Sequence, residues 1–172
     1  LDPEAWITRE RARIQTTDND GWLAAWTPGS FDGWHAQPGG EWTWEGEVLV
    51  GRSEASEARH GLLVSDLEFG DFDVEFEFRA VQGCSGFYFR VDETGDNTGV
   101  AGFQAEVEPS FETGGLYETR GRGWVVRPDE ALIRSCYTPA EWSTMRVAAS
   151  GADVVVQVNG VETARLKDDP GR

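Results

Sequence analysis

The central part of the chain alternates apolar and charged side chains with the period of a β-strand. Over residues 71–81 every second position is apolar, and the positions between them are charged. The apolar positions are Phe72, Val74, Phe76 and Phe78, and the charged positions are Asp73, Glu75, Glu77 and Arg79. Because strand side chains point alternately to the two faces, this pattern predicts one face in the core and a row of charges on the other.

Similar segments follow along the chain. The pattern predicts further strands over residues 85–91, 102–107, 144–149, 153–158 and 161–166. Asn159-Gly160, between the last two, is typical of a two-residue hairpin turn. Many short strands separated by turn residues predict an all-β jelly-roll sandwich of antiparallel strands and disfavour a parallel α/β sheet.

The N-terminal segment is where the sequence predicts a helix. Asp2 suits the N-cap, Pro3 suits the first helical position, and the arginines of residues 9–13 suit the C-terminal end of the helix dipole. We therefore expect a helical extension over residues 1–20 and a single domain over residues 21–172.

Composition excludes some partners. The 172 residues contain 31 Asp and Glu against 15 Lys and Arg, which gives a formal net charge of −16. Such a chain repels phosphate backbones, so nucleic-acid binding is disfavoured. Its apolar stretches are far shorter than the ~20 residues that span a bilayer, so membrane insertion is disfavoured too. The eight Trp and 21 Gly are typical of β-rich proteins that handle sugars.

The polar faces of the central strands suggest a site. If these strands are neighbours in one sheet, carboxylates, guanidinium groups, an amide and a phenol share one surface. These residues are Glu75, Glu77, Arg79, Tyr88, Arg90, Gln104 and Glu106. The surface is interpreted either as a sugar groove or as a solvated sheet face with cross-strand ion pairs. The Asp73-x-Glu75-x-Glu77 spacing also allows a retaining-glycosidase carboxylate pair.

The sequence leaves metal binding and disulfide formation undecided. Asp92, Asp96 and Asn97 lie in an oxygen-rich segment that suits either a divalent cation such as Ca²⁺ or a plain hairpin loop. Cys84 and Cys136 are candidates for a disulfide, with two buried thiols as the alternative.

A series of short motifs, in order, carries a family resemblance. They are WEGEVL at 44–49, GLLVS at 61–65, FGDFDVEFEFR at 69–79, SGFYFR at 85–90, GFQ at 102–104, GGLY at 114–117, EWST at 141–144 and VNGV at 158–161. From about Trp22 to the C-terminus, the chain resembles the 3-keto-disaccharide hydrolase family. The resemblance implies a concanavalin- or laminarinase-like jelly roll.

The chain departs from the pattern of this family at several positions. Cys84 replaces an Asn before Ser-Gly, and the Glu-x-Gln order is reversed in Gln104-Ala105-Glu106. Ser143 replaces the Asn of Glu-Trp-Asn, and Pro28-Gly29-Ser30 replaces an Asp/Asn-Gly-Lys opening. We also expect the last strands of the family to be absent from this chain.

The resemblance implies a glycoside hydrolase or lyase that acts on 3-keto-glycosides, since a C3 ketone acidifies the C2 hydrogen and allows elimination of the C1 substituent. It implies Glu77 or Glu106 as the base and Arg79 with Arg90 as enolate stabilisers. Pairing of Arg90 with Glu77 to hold the sheet is the alternative role. The implied substrate-binding residues are Glu75, Tyr88, Gln104, Tyr117 and His60, with Trp34, Trp44 and Trp124 as stacking platforms.

Two other functions stay open at this point. One is a non-catalytic carbohydrate-binding module, and the other is a structural or interaction domain of a larger assembly. The resemblance also implies a bacterial periplasmic or secreted location and a sugar ligand. It leaves the need for a divalent metal and the oligomeric state undecided.

Overall fold

The computed structural model describes residues 4–9, 13–16 and 22–171, with side chains from residue 22 onward. The first seven strands are β1 (Glu4–Arg9), β2 (Arg13–Thr16), β3 (Leu23–Ala24), β4 (Trp34–Ala36), β5 (Glu41–Glu45), β6 (Val48–Ser53) and β7 (Leu63–Ser65). The remaining elements are β8 (Phe72–Gln82), β9 (Ser85–Glu93), β10 (Val100–Val107), β11 (Leu116–Thr119), β12 (Gly123–Val126), α1 (Glu130–Cys136), β13 (Ser143–Ser150), β14 (Asp153–Val158) and β15 (Val161–Leu166).

These strands form two main sheets that pack face to face. In the described ranges, the large sheet has the order β15-β14-β13-β8-β1-β6-β5, with β2 also paired to β8 and β3 paired to β2. The small sheet has the order β12-β11-β10-β9, and β4 pairs with β7 in a separate ribbon. Neighbouring strands are antiparallel throughout, for example β13 with β8 and β10 with β9. The all-β jelly-roll sandwich predicted from the sequence is confirmed.

The core is built from the apolar positions of the period-two strands. The buried residues of β8 are Phe72, Val74, Phe76, Phe78 and Ala80, and those of β10 include Phe103, Ala105 and Val107. Aromatic rings meet across the two sheets, with Phe72 and Phe89 centroids 5.6 Å apart and Phe76 and Phe87 centroids 5.6 Å apart. Such edge-to-face and tilted ring pairs add to the free energy of simple apolar burial.

The N-terminal helix prediction is wrong. Residues 4–9 and 13–16 are the strands β1 and β2, and the helix of the described residues is α1. Helix capping and dipole terms contribute only about 1 kcal/mol each. Strand β1 lies between β6 and β8 and completes the hydrogen-bond ladders of both, so tertiary pairing overrides the local preference.

The predicted hairpin between β14 and β15 is confirmed in its turn geometry. Asn159 and Gly160 both have positive φ, at 49° and 80°, as a type I′ turn requires. No helix in the described part of the chain has the length and apolarity needed to cross a membrane.

An arginine joins the two sheets at one end of the sandwich. Arg122, in the turn between β11 and β12, donates from its two terminal nitrogens to Asp169, at 2.8 and 2.7 Å. Its Nε donates to Glu118 on β11. Both carboxylate side chains are only 8% exposed. Arg122 holds the pKa of Asp169 below its ordinary value, and it connects the small sheet to the segment that follows β15.

We expect Arg122→Ala to lower the free energy of unfolding by about 2–3 kcal/mol, because it leaves two largely buried carboxylates without their cation. Denaturant unfolding at pH 7 measures this loss. The matched control is Arg165→Ala, which removes an exposed pair with Glu162 and should cost less than about 1 kcal/mol. Equal losses in the two variants would contradict the role of Arg122 as a clamp.

Candidate functional site

The outer face of the small sheet carries a row of polar and aromatic side chains, one from each strand. Tyr88 on β9 pairs with Gln104 on β10, Gln104 pairs with Tyr117 on β11, and Tyr117 pairs with Trp124 on β12. Glu106 follows two positions after Gln104 and therefore lies on the same face. The sequence pattern predicted the common face of Tyr88, Gln104 and Glu106, and the structure confirms it.

Two glycines make room for this row. A Cβ at Gly86, the partner of Glu106 in the ladder, would overlap the side chain of Gln104, including its Nε2 at 2.6 Å. A Cβ at Gly115 would lie 2.6 Å from the ring of Trp124. These close approaches explain why the chain has Gly at both positions.

Glu106 is buried although it lies on the outward face of a sheet. Its side chain is 7% exposed, and among the described residues it forms neither a hydrogen bond nor an ion pair. Burial, followed by the charges of Glu108 and Glu112, raises its pKa from 4.5 to about 8. A carboxyl group with these properties exchanges a proton near neutral pH, which general acid–base catalysis requires.

The groups around Glu106 can donate hydrogen bonds to a ligand. Gln104 is 8% exposed, and among the described residues its amide has no partner. The phenol oxygen of Tyr88 accepts a hydrogen bond from Thr119 Oγ1 at 3.3 Å, which leaves its own proton available. Burial raises the pKa of Tyr88 to about 12, so this group stays a donor at physiological pH.

The β4–β7 ribbon and the loop before β7 form the opposite wall of a groove of about 1840 Å³. His35 Nδ1 lies 2.7 Å from Asp66, and Gln37 donates to Glu93 at the end of β9 at 2.6 Å. The hydrogen bond with Asp66 raises the pKa of His35. The hydrogen bond between Gln37 and Glu93 connects the ribbon to the small sheet. Trp34 and the exposed His60, both predicted to bind substrate, line this wall.

Arg90 lies at a β-bulge in β9. The ladder between β9 and β10 shifts between Ala101 and Phe103, so Arg90 and Val91 face the single residue Gly102. Arg90 adopts a positive φ of 49°, which is rare for a residue with a side chain. Its side chain is 15% exposed, lines the groove, and has its guanidinium 3.9 Å from Asp71. The bulge therefore places a largely buried cation at the groove.

The proposed neighbourhood of Glu77 and Arg79 with Glu106 is wrong. Strand β8 belongs to the large sheet, and the turn at residues 83–84 carries the chain into the small sheet. Since the apolar faces of β8 and β9 pack against each other, their polar faces point to opposite sides of the sandwich. Glu75, Glu77 and Arg79 lie on the outer face of the large sheet, where Arg79 stacks over Trp142 and Asp73 pairs with Arg146. The glycosidase pairing along β8 therefore lies outside the groove, and so does the alternative pairing of Arg90 with Glu77.

Trp44 also lies away from the groove. It is on β5, the edge strand of the large sheet, where its Nε1 donates to Ser30 O at 3.1 Å and its ring packs on Phe31. The groove wall contains Trp42 of the same strand instead. The sequence pattern could not show which of Trp42 and Trp44 lies in the groove, because residues two positions apart in a strand point to the same face of the sheet.

Of the two alternatives for the cysteines, the structure has two free thiols, with Cys84 exposed and Cys136 half-buried. Cys84 lies in the β8–β9 turn with its Sγ 3.5 Å from a Glu108 carboxylate oxygen, while Cys136 ends α1. Burial raises the pKa of the Cys136 thiol. The thiol of Cys84 faces the carboxylate end of the groove.

The structure gives the loop at residues 92–99 the geometry of a hydrogen-bonded hairpin. Asp96 Oδ1 accepts from Thr94 Oγ1 and from the backbone N–H of Thr98, at 3.0 and 2.9 Å, and its other oxygen pairs with Arg120. The backbone of Asn97 accepts from His60 N at 3.0 Å. Within the ranges that the structure describes, no three His, Cys, Asp or Glu side chains are grouped so as to hold a metal ion.

Sequence reasoning missed several groups near Glu106. Thr119 donates a hydrogen bond to Tyr88. Glu108 and Glu112 lie on the loop after β10, and Arg127, which pairs with Glu112, follows β12. Glu108 continues the alternation of Gln104 and Glu106 by one further step, which was a usable signal. Glu112 lines the groove from a loop, where the chain has no regular period. Arg127 pairs with Glu112 from the residue that follows β12.

The fold and the groove define an antiparallel β-sandwich of the jelly-roll class, with a groove lined by polar, aromatic and apolar side chains that include the outer face of its smaller sheet. A model of the 3-keto-alpha-glucoside-1,2-lyase-like domain matches residues 21–172. The chain therefore belongs to this family, as its motifs predicted, and its function is related to carbohydrates. No curated protein sequence matches the chain.

The buried state of Glu106 makes stability depend on pH. Between pH 4.5 and about 8, the unfolded chain releases this proton while the folded chain keeps it, so rising pH favours unfolding. We expect Glu106→Gln to be more stable than the parent protein by on the order of 3–4 kcal/mol at pH 9, and by little at pH 4.

Chemical denaturation of both proteins across this pH range measures the difference. Glu47→Gln, an exposed position in the β5–β6 turn, is the control and should leave the pH dependence unchanged. A constant difference between Glu106→Gln and the parent at all pH values would show that Glu106 titrates normally in the folded protein.

Proposed function

We propose that this protein cleaves 3-keto-glycosides by removing the C2 proton and eliminating the C1 substituent. The observation that carries the proposal is Glu106, a buried carboxyl group without a protein partner among the described residues, placed between hydrogen-bond donors in the groove. A base for a carbon acid needs a pKa near the working pH, and the pKa of about 8 meets this need.

The chemistry has three steps. The Glu106 carboxylate takes the proton from C2, and the electron pair of the C2–H bond moves into the enolate on the C3 oxygen. The enolate then collapses, the C1–O bond breaks, and the leaving oxygen takes a proton, which gives an unsaturated ketone. Addition of water across the new double bond returns a 3-keto sugar, so the overall reaction is hydrolysis.

Several groove residues suit the enolate. The phenol of Tyr88 is a donor at a half-buried position and the amide of Gln104 is a donor at a buried one, where each donor stabilises a developing oxyanion more than in water. Arg90 adds positive charge close by, because its guanidinium is mostly buried at the bulge. Tyr117 and His60 are the groove residues proposed to protonate the leaving oxygen.

A matched pair of isosteric variants tests the proposal. With a chromogenic 4-nitrophenyl 3-keto-glucoside, Glu106→Gln should reduce kcat/KM by at least about 100-fold, because the base is removed. Glu77→Gln, on the outer face of the other sheet, should retain full activity. Loss of activity in Glu77→Gln alone would place the chemistry on β8 and contradict the proposal.

The pH dependence gives a second check. Because the base must be ionised, kcat/KM should rise about tenfold per unit below pH 8 and level off above it. Binding of the 3-keto-glucoside without any release of 4-nitrophenol, at every pH, would instead favour the carbohydrate-binding module.

A further inference from the structure

We propose that Arg127 is a positioning residue that connects the aromatic pair of Trp124 and Tyr117 to Glu106 through Glu112. It is not expected to touch the substrate. The inference deepens the proposed function and rests on it for its catalytic meaning. Arg127 is not among the site residues predicted from the sequence.

The loop between β10 and β11 holds two carboxylates beside Glu106. The backbone N–H of Glu106 donates to Gly115 O at 3.0 Å, and Gly114 N–H donates back to Glu106 O at 2.9 Å. Gly115 N–H in turn donates to Glu112 O at 3.0 Å. This return of the chain onto the end of β10 brings the side chains of Glu108 and Glu112 to the same end of the groove as Glu106.

The loop is fixed by buried contacts. Thr113 is fully buried, and its hydroxyl donates to Glu108 O at 2.6 Å while it accepts from Glu108 N at 2.9 Å. Tyr137, after α1, donates its hydroxyl proton to the same carbonyl at 2.8 Å. These contacts fix the backbone of the loop that carries Glu108 and Glu112 beside the end of β10.

Arg127 makes two contacts that join separate parts of this site. Its Nη1 donates to Glu112 Oε1 at 2.6 Å, and its guanidinium lies over the ring of Trp124, 4.4 Å from the centroid. Trp124 contacts Tyr117 edge-to-face, with centroids 5.5 Å apart. A planar guanidinium can satisfy both contacts at once, because it stacks on a ring while it donates in its own plane.

The electrostatic consequence follows from the sign of each charge. The loop residues Glu108 and Glu112 are the titratable groups whose charges act on Glu106, while Tyr88, Cys84 and Tyr117 line the groove beside them. Each negative charge disfavours ionisation of Glu106, while Arg127 offsets the charge of Glu112. Arg127 thereby reduces the negative charge that Glu112 directs at Glu106.

The test measures the Glu106 titration directly, by carboxyl ¹³C NMR of the full chain, with Glu106→Gln used to assign the signal. At low salt, Arg127→Met should raise the midpoint by about half a pH unit, and Glu112→Gln should lower it by a similar amount. Both shifts should shrink at high salt, since this pair is exposed. The kcat/KM profile on 4-nitrophenyl 3-keto-glucoside should move in the same directions.

Two further variants separate charge from ring stacking. Arg127→Lys keeps the charge but loses the planar stack on Trp124. It should therefore have the Glu106 midpoint of the parent, while its KM, like that of Arg127→Met, should be raised several-fold. Arg134→Met is the matched control, because Arg134 also has an ion pair, with Glu130, and a ring contact, with Phe111. It should leave the Glu106 midpoint unchanged.

The outcomes are distinguishable from those of the activity test. An unchanged Glu106 midpoint in both Arg127→Met and Glu112→Gln overturns this inference even if the protein is an active lyase. Shifted midpoints in a protein that releases no 4-nitrophenol support the link between Arg127 and Glu106 and overturn the proposed function. An equal shift in Arg134→Met would show a general charge effect and also overturn the inference.

Discussion

The packing of phenylalanine rings between β8 and β9 determines the arrangement of everything else in this protein. Phe72 and Phe76 meet Phe87 and Phe89 across the sandwich, so the two strands face each other through their apolar sides. Consecutive strands that face each other in this way must point their polar sides in opposite directions. One polar row becomes a solvent-exposed face of the large sheet, and the other becomes the floor of the groove.

The groove is the place where an outward face is no longer exposed to water. The β4–β7 ribbon and its loop line the groove together with residues from the outer face of the small sheet, and the contact of Gln37 with Glu93 joins the ribbon to the end of β9. Glu106 loses hydration without gaining a hydrogen bond or an ion pair from the described residues, which is unfavourable for folding. A fold tolerates such a group only when the rest of the core supplies enough stability, and functional sites are where this is found.

The sequence was sufficient for the strands from β8 to β10 and from β13 to β15, and for the sheet face to which their residues point. Alternation in β8, β9 and β10 assigned Glu77, Tyr88, Gln104 and Glu106 to polar faces, since a period of two is a local property. The assignment of strands to sheets is not local. A two-residue connection at Gly83-Cys84 is compatible with a hairpin or with a crossing between sheets, and only packing of the whole chain decides between them. The misplacement of Glu77 and Arg79 has this origin.

The charge distribution also constrains how a sugar would lie under the proposed function. With a net charge of −16 and three carboxyl groups at one end of the groove, an anionic ligand is disfavoured and a neutral keto sugar is accepted. The enolate, however, is anionic. Its oxygen must therefore develop charge away from Glu108 and Glu112, toward Tyr88 and Arg90. This orientation places C2 at Glu106 and the C3 oxygen toward β9. The bulge in β9 would then serve to place the Arg90 guanidinium where the enolate oxygen develops its charge.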